Sequence, residues 1–283
     1  MKIAVLSDIH GNHLAFKRCI EYALKQNIKD FIFLGDYVGE LAFPQNTMEI
    51  LYNLKESFNC NFIKGNKENY WLEYNGSGWN YQDSTTGSLL YTYNNLTKKD
   101  ISFFKSLDYK AEVCVDNIPP ITICHGSPYD VSEKMLPYNE RTNEIIYKDK
   151  NSIILCGHTH IQREIICGER VVYNPGSVGL PLNSNGKTQF MILEWADNRW
   201  KTEFISLDYD VEKVISELYK AELNIKAPYW CIVSENMLRY GKISHAQVLN
   251  RAMQICKIKN KVCEYPNIPE DCWEKAVEEI ILE

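Results

Sequence analysis

Residues 2–12, Lys2-Ile3-Ala4-Val5-Leu6-Ser7-Asp8-Ile9-His10-Gly11-Asn12, decide how this chain folds. The first five read as a short strand. A polar segment follows directly, and then an amphipathic stretch with Phe16, Ile20 and Ala23 on one face, which Asn12 is placed to cap. The pattern repeats: the apolar run 31–34 leads into Gly35-Asp36, and the run 61–63 leads into Gly65-Asn66, with Leu51, Leu54 and Phe58 marking the helix between them. Alternating strands and helices imply a parallel sheet covered by helices. The three polar segments then gather at the carboxyl ends of the strands, where open α/β folds hold their sites.

Residues 75–95, opening with Gly76-Ser77-Gly78, lack a steady period and read as a surface loop with a little helix. A short helix is expected near 98–106. Strands follow at 110–115, 121–124, 152–156, 164–167, 171–173, 188–194 and 199–206, with Asp197-Asn198 as a tight turn, and they predict a second sheet packed on the first. From Asp208 the pattern is helical. Three helices are expected there: one with Val211, Val214, Ile215 and Leu218 as its stripe; one with Val248, Leu249, Ala252, Ile255 and Cys256 behind a Ser244/Gln247 capping box; and one starting near Pro269, with Trp273, Val277 and Ile280. The expected organisation is a core domain over 1–207, which the resemblance described below makes the catalytic one, and a helical extension over 208–283 docked on it.

The strand-end segments supply Asp8, His10, Asp36 and Asn66, and the later segments His125-Gly126 and Gly157-His158-Thr159-His160 add three imidazoles. Two Asp, one Asn and four His form a mixed oxygen and nitrogen set. Such a set suits two neighbouring divalent ions rather than a thiolate zinc site or an all-oxygen calcium site. Each short motif alone is weak, but four of the chain's six histidines lie within the ordered series. Bridging two cations needs one shared carboxylate, and a strand-end Asp such as Asp36 can offer an oxygen to each.

This series, with Leu6-Ser7-Asp8-Ile9-His10-Gly11-Asn12 and Asn174-Pro175-Gly176-Ser177-Val178-Gly179, resembles the calcineurin-like metallophosphoesterase superfamily in its branch of small bacterial and archaeal phosphodiesterases. The likeness runs from Met1 to about Ser206 and leaves out the helical tail. It implies a four-layer α/β/β/α sandwich of two mixed sheets. It also implies a dinuclear site in which Asp8, His10, Asp36 and His160 bind one ion and Asp36, Asn66, His125 and His158 the other. Manganese is the ion the resemblance favours, with iron or zinc compatible. The implied reaction is hydrolysis of a phosphate ester by a metal-bridging hydroxide, with Asp36, Lys67 and His125 as the expected catalytic residues.

Lys67 departs from the family pattern, which often has a proton-donating His, or in the small branch Cys, after Gly-Asn. An ammonium of ordinary pKa near 10.4 stabilises a phosphoryl oxygen but donates protons poorly at neutral pH. The other reading turns Lys67 to solvent. Asn12, His13 and Arg163 are further candidates for substrate contact, each with a plainer alternative: a helix cap, a surface histidine and a solvated strand residue. Asn174-Pro175-Gly176-Ser177 reads first as a turn and second as a border of the site. His245 reads as a surface residue of the tail. Trp71, Tyr74, Trp79, Tyr81, Tyr91 and Tyr93 either stack on a nucleobase or pack beneath their own loop.

At 283 residues the chain suits one core plus an appendage, since single cores stop growing at roughly 250 to 300 residues. A net charge of −6, with no basic run longer than Lys98-Lys99, argues against a nucleic-acid polymer as partner, and the resemblance implies a small phosphate-ester or nucleotide-type substrate. Ten irregularly spaced cysteines without a C-x-x-C pair are expected to be reduced and buried, Cys114, Cys124 and Cys156 among them. The absence of a signal segment or a long apolar run predicts a cytoplasmic protein not attached to a membrane. A dinucleoside polyphosphate hydrolase using the same site is the alternative enzyme. A catalytically weak scaffold that binds partners through the tail is the alternative of another class, and the intact set of seven ligands argues against it.

Overall fold

The computed structural model describes residues 1–115 and 117–282. In chain order the elements are β1 (Lys2–Leu6), α1 (His13–Lys25), β2 (Asp30–Phe33), α2 (Pro44–Ser57), β3 (Asn59–Phe62), α3 (Asn66–Glu73), α4 (Gly87–Asn94), α5 (Lys98–Lys105), β4 (Lys110–Val115), β5 (Ile118–Cys124), α6 (Glu140–Lys148) and β6 (Ile153–Leu155). They continue with β7 (Gln162–Cys167), β8 (Arg170–Pro175), β9 (Thr188–Ala196), β10 (Arg199–Leu207), α7 (Val211–Lys220), α8 (Leu223–Lys226), α9 (Pro228–Tyr240), α10 (His245–Asn260) and α11 (Glu270–Val277), and the chain closes in a π-helical turn.

Two mixed five-stranded sheets result, in the orders β10-β9-β1-β2-β3 and β4-β5-β6-β8-β7. Side chains alternate across each strand. Ile3 and Val5 of β1 therefore enter the apolar layer between the sheets, with Ile32, Ile121, Ile123 and Leu155, whereas Ala4 and Leu6 face the helices through Phe16, Ile20 and Leu51. Helix α6 covers the far face of the second sheet through Ile145 and Ile146 against Ile154 and Val172. The layers are α/β/β/α, as the resemblance implies.

Two strands expected in the second sheet belong to the first. β9 pairs antiparallel with β1, setting Ile192 opposite Ala4 and Met191 opposite Val5, and β10 pairs with β9. The reason is burial on both faces: Met191 and Leu193 fill the layer between the sheets, while Phe190 and Ile192 join the helical side. Helix α6 has no counterpart in the sequence reading, because its buried positions are only Thr142, Ile145 and Ile146 in a polar stretch.

Among the described residues the tail holds five α-helices rather than three helices. The unanticipated α9 buries Trp230, Cys231, Val233, Ser234, Met237 and Leu238, a set too wide around the helix to read as one stripe. Tail residues pack on Leu41, Ala42, Tyr91 and Leu180 of the preceding chain. Polar contacts pin the same junction: Ser84 donates through its N–H and hydroxyl to Glu270, each at 2.7 Å, and Trp273 Nε1 donates to Thr85 Oγ1 at 3.0 Å. All ten cysteines are free thiols, and Cys114, expected inside, is exposed on β4. Among the described residues no helix is long and apolar enough to cross a membrane.

Candidate active site

The turns after β1, β2 and β6 force the backbone into the left-handed region at Asp8 (φ 55°), His10 (φ 51°), Asp36 (φ 54°), His158 (φ 64°) and His160 (φ 58°). Such positions cost roughly 1–3 kcal/mol each and persist only where surrounding contacts impose them. Here the turns brace one another. Asp8 N–H donates to Gly35 O at 3.1 Å, His10 N–H to Asp36 O at 2.9 Å, and Gly157 N–H to His125 O at 2.7 Å. Glu68 on α3, fully buried, accepts from the backbone N–H groups of Asp36, Tyr37 and Gly65 and so ties the β2 turn to the β3 turn. Gly157 is required at its position, since a Cβ there would lie 2.7 Å from Asp8 Oδ2.

These turns bring six strand-end residues into one buried cluster. Asp8 Oδ1 lies 3.3 Å from His160 Nε2 and 3.8 Å from the Nε2 atoms of both His10 and His125. Asp36 Oδ2 stands 3.5 Å from His125 Nε2 and 3.8 Å from His10 Nε2. Asn66 Oδ1 is 3.1 Å from His125 Nε2, and the rings of His125 and His158 are 5.3 Å apart, bringing in a seventh residue. His125 Nδ1 meets Leu34 O at 2.6 Å and His160 Nδ1 meets Leu180 O at 2.7 Å. Each Nδ1–H donating to a carbonyl leaves the Nε2 lone pair facing the cluster, the tautomer a metal ligand needs.

Two donor groups emerge, Asp8 with His10 and His160, and Asp8 with Asp36 and His125. Asp8 Oδ1 is buried with no hydrogen-bond donor, although Ser7 Oγ and His158 N–H both reach Oδ2. A buried carboxylate oxygen aimed at three imidazole nitrogens fits a cation. Asp36 offers one oxygen rather than two, because Oδ1 accepts from Lys67 N–H at 2.8 Å.

Charge follows geometry. Burial acts to raise Asp8, but the imidazoles of His160 and His125 outweigh it and hold the carboxyl well below its usual range; Asp36 is lowered in the same way, chiefly by His125. Burial would lower His10, yet Glu40 carries it up to about 10, and the two aspartates carry His125 to about 9. His158 is pushed down to about 4 by burial and by His125, so it stays neutral.

The cluster opens into a cavity of about 550 Å³ whose far wall is the tail, through Trp230, Lys242, Ser244, His245 and Tyr265. Lys67 does not face solvent. Its side chain is 12% exposed, it pairs with Glu40, and its ammonium sits 5.5 Å and 5.9 Å from the ring centres of Tyr70 and Trp230. Glu40 was not singled out by the sequence reading, although a carboxylate in the glycine-containing turn four residues after Asp36 is a usable signal. It stands 2.6 Å from His10 Nδ1. Burial would lower Lys67, but Glu40 raises it above its ordinary value, which removes it as a proton donor near neutrality.

The remaining candidates take up the following places. Asn12 is occupied as a cap, accepting from Ala15 N–H and donating to Gly179 O and Tyr209, so its amide is not free for substrate. His13 packs near Glu217 at 3.7 Å, outside the cavity lining. His245 is not on the surface: it is buried, stacks on Trp230 with ring centres 4.2 Å apart, and meets Ser234 Oγ at 2.9 Å. Asn174 and Ser177 brace the site from behind, donating to Gly157 O and Asp8 O. Tyr74, Trp79 and Tyr93 pack on one another, whereas Tyr70 lines the cavity. Arg163 also lines it.

Comparison with known proteins agrees with this architecture. An uncharacterised protein of Methanocaldococcus jannaschii is 26% identical over 247 residues, covering 81% of this chain and 94% of its own. A hypothetical protein of Pyrococcus horikoshii superposes with a TM-score of 0.72 at 19% identity, over 86% of this chain and 99% of its own. A metallophosphoesterase of Sphaerobacter thermophilus gives 0.65 at 20% identity, over 83% and 100%. These two structural matches speak for the fold alone. Residues 1–198 match the family model of the calcineurin-like phosphoesterase superfamily domain. The chain therefore belongs to the calcineurin-like phosphoesterase superfamily, and it is a metal-dependent hydrolase of phosphoric esters.

Proposed function

We propose that the protein is a dinuclear phosphoesterase acting on small phosphate esters, diesters foremost, with Asp8, His10, Asp36 and His160 holding one divalent cation and Asp36, Asn66, His125 and His158 the other. The observation that carries this reading is the buried convergence of Asp8 Oδ1 and Asp36 Oδ2 on the Nε2 atoms of His10, His125 and His160. When bound, two divalent cations supply Lewis acidity that activates water for in-line attack and offsets charge on the phosphoryl oxygens. Manganese is the preferred occupant, though the same donors accept iron and zinc.

The chain's own part is positioning and charge. Asp36 would be the donor shared by the two cations, with Oδ2 the oxygen free for that role since Oδ1 accepts from Lys67 N–H. The Lys67 ammonium, steadied by Glu40, faces the cavity as a fixed positive charge for a phosphoryl or leaving oxygen. It binds charge and does not deliver a proton. Metal content of the purified protein, together with hydrolysis of bis(p-nitrophenyl) phosphate with and without added manganese, tests the reading. Fewer than two metals per chain at saturation would refute the dinuclear assignment, and metal-independent turnover would refute the mechanism.

A further inference from the structure

The cavity beside the cluster is larger than one phosphoryl group needs: at about 550 Å³ it lies within the roughly 300–1,000 Å³ of sites for whole organic ligands. Its lining is also too positive. The carboxylates that line it, Asp36 and Glu40, already face imidazoles and the Lys67 ammonium. Three more cations come to the same space from separate parts of the fold: Arg163 from β7, Lys134 from the β5–α6 connection and Lys242 from the α9–α10 turn of the tail.

Among the described residues, eleven of the chain's 31 lysines and arginines stand within 4 Å of a carboxylate. Among the described residues no carboxylate lies that close to Arg163, Lys134 or Lys242. Most of the chain's cations share that lack, so what sets these three apart in a chain of net charge −6 is that they line one concavity. Arg163 is the most telling of them. It is half-buried, and burial lowers its pKa with no carboxylate to oppose the shift, a cost that a bound anion removes.

We infer that Arg163, Lys134 and Lys242 form a second anion subsite, so that the substrate is a phosphate ester carrying a further anionic group, phosphate or carboxylate, away from the scissile bond. This rests on the reading that the metal cluster holds the scissile phosphoryl group. The tail then supplies part of substrate recognition through Lys242, while the sandwich supplies the chemistry. Tyr70, Trp230 and Tyr265 provide the less polar wall along which the body of such a molecule lies.

The test is calorimetric binding to the full, manganese-loaded chain of four non-hydrolysable probes: propylphosphonate, 3-carboxypropylphosphonate, propane-1,3-diphosphonate and 3-hydroxypropylphosphonate. The expected result is that one or both two-anion probes bind at least tenfold more tightly than the propyl and hydroxypropyl compounds. Which of the two binds better identifies the second group as carboxylate or phosphate. In Arg163→Gln and Lys242→Gln the advantage of the two-anion probes should shrink to threefold or less. Equal affinity of all four probes in the unmodified protein overturns the second subsite and leaves the cluster's role intact. No binding by any probe overturns both. A tenfold preference that survives both substitutions unchanged also overturns the assignment, since the extra anion would then be held elsewhere.

Discussion

Asp36 has one oxygen to share, and everything proposed for it depends on that oxygen lying between His10 and His125. Asp36→Asn keeps the shape and removes the charge. Turnover is expected to fall by about 100-fold or more, the scale of losing one strong electrostatic contributor, with bound metal reduced and the fold retained. Near-normal turnover with full metal content would remove Asp36 from the site. Lys67 makes a different prediction. With no acid there to protonate a departing oxygen, the barrier should depend steeply on leaving-group basicity, so aryl diesters or phosphoanhydrides should outrun alkyl monoesters. Lys67→His is expected to rescue poor leaving groups selectively, and Lys67→Ala to lower kcat/KM for every anionic substrate. A leaving-group series measured in all three proteins decides; equal, shallow slopes would mean that the lysine takes no part.

Among the elements, the tail is the one whose role the sequence left most open. We assign residues 1–207 to the catalytic domain and 208–283 to an extension docked on it, with Trp273 as the anchor: it is fully buried and donates to Thr85. Trp273→Ala is expected to cost about 3–5 kcal/mol of stability by chemical denaturation, and a chain ending at Leu207 should melt lower and aggregate. An equally stable, monodisperse truncated chain would contradict the docking. His245 adds a pH dependence. Burial pushes its pKa down to about 3, below the unfolded value of about 6.5. The unfolded chain therefore binds the proton first, and His245 withdraws stability as pH falls from about 6.5 toward 3, by at most about 1.4 kcal/mol per pH unit. His245→Phe should flatten the acid side of the stability curve. An unchanged slope would mean that the imidazole is solvated after all.

For the whole molecule, metal and protons compete. The folded pKa values of His10 and His125, about 10 and 9, lie above the ordinary histidine value. Their stabilisation of the metal-free protein is thus fully present below about pH 6.5 and is lost as pH rises through 9 and 10. A cation that replaces those protons should bind more tightly as pH rises and should release protons on binding. Titration with manganese in buffers of different ionisation enthalpy measures the release directly. Manganese should also raise Tm most on the alkaline side, and a Tm gain independent of pH would argue that the imidazoles are not displaced ligands.

How much of this was legible in the chain depends on the range of the interaction. The parallel β1-β2-β3 start, the helix caps and all seven candidate donors could be read from residues close together, because strand runs, caps and strand-end polar segments are local signals. The placement of β9 and β10 in the first sheet could not, since two buried faces per strand fit either sheet until the partners are known. Helix α9 was hidden because burial on several sides erases the stripe that reveals a surface helix. Lys67, Glu40 and His245 were undecidable for the same reason: whether an ammonium meets solvent or a carboxylate, and whether a tail histidine is exposed or stacked on Trp230, depends on segments distant in sequence. Local residue order determined the kind of chemistry this protein carries. Packing of the tail across the cluster decided the shape and charge of the cavity in which that chemistry takes place, because burial and ion pairing arise only when distant surfaces exclude water between them.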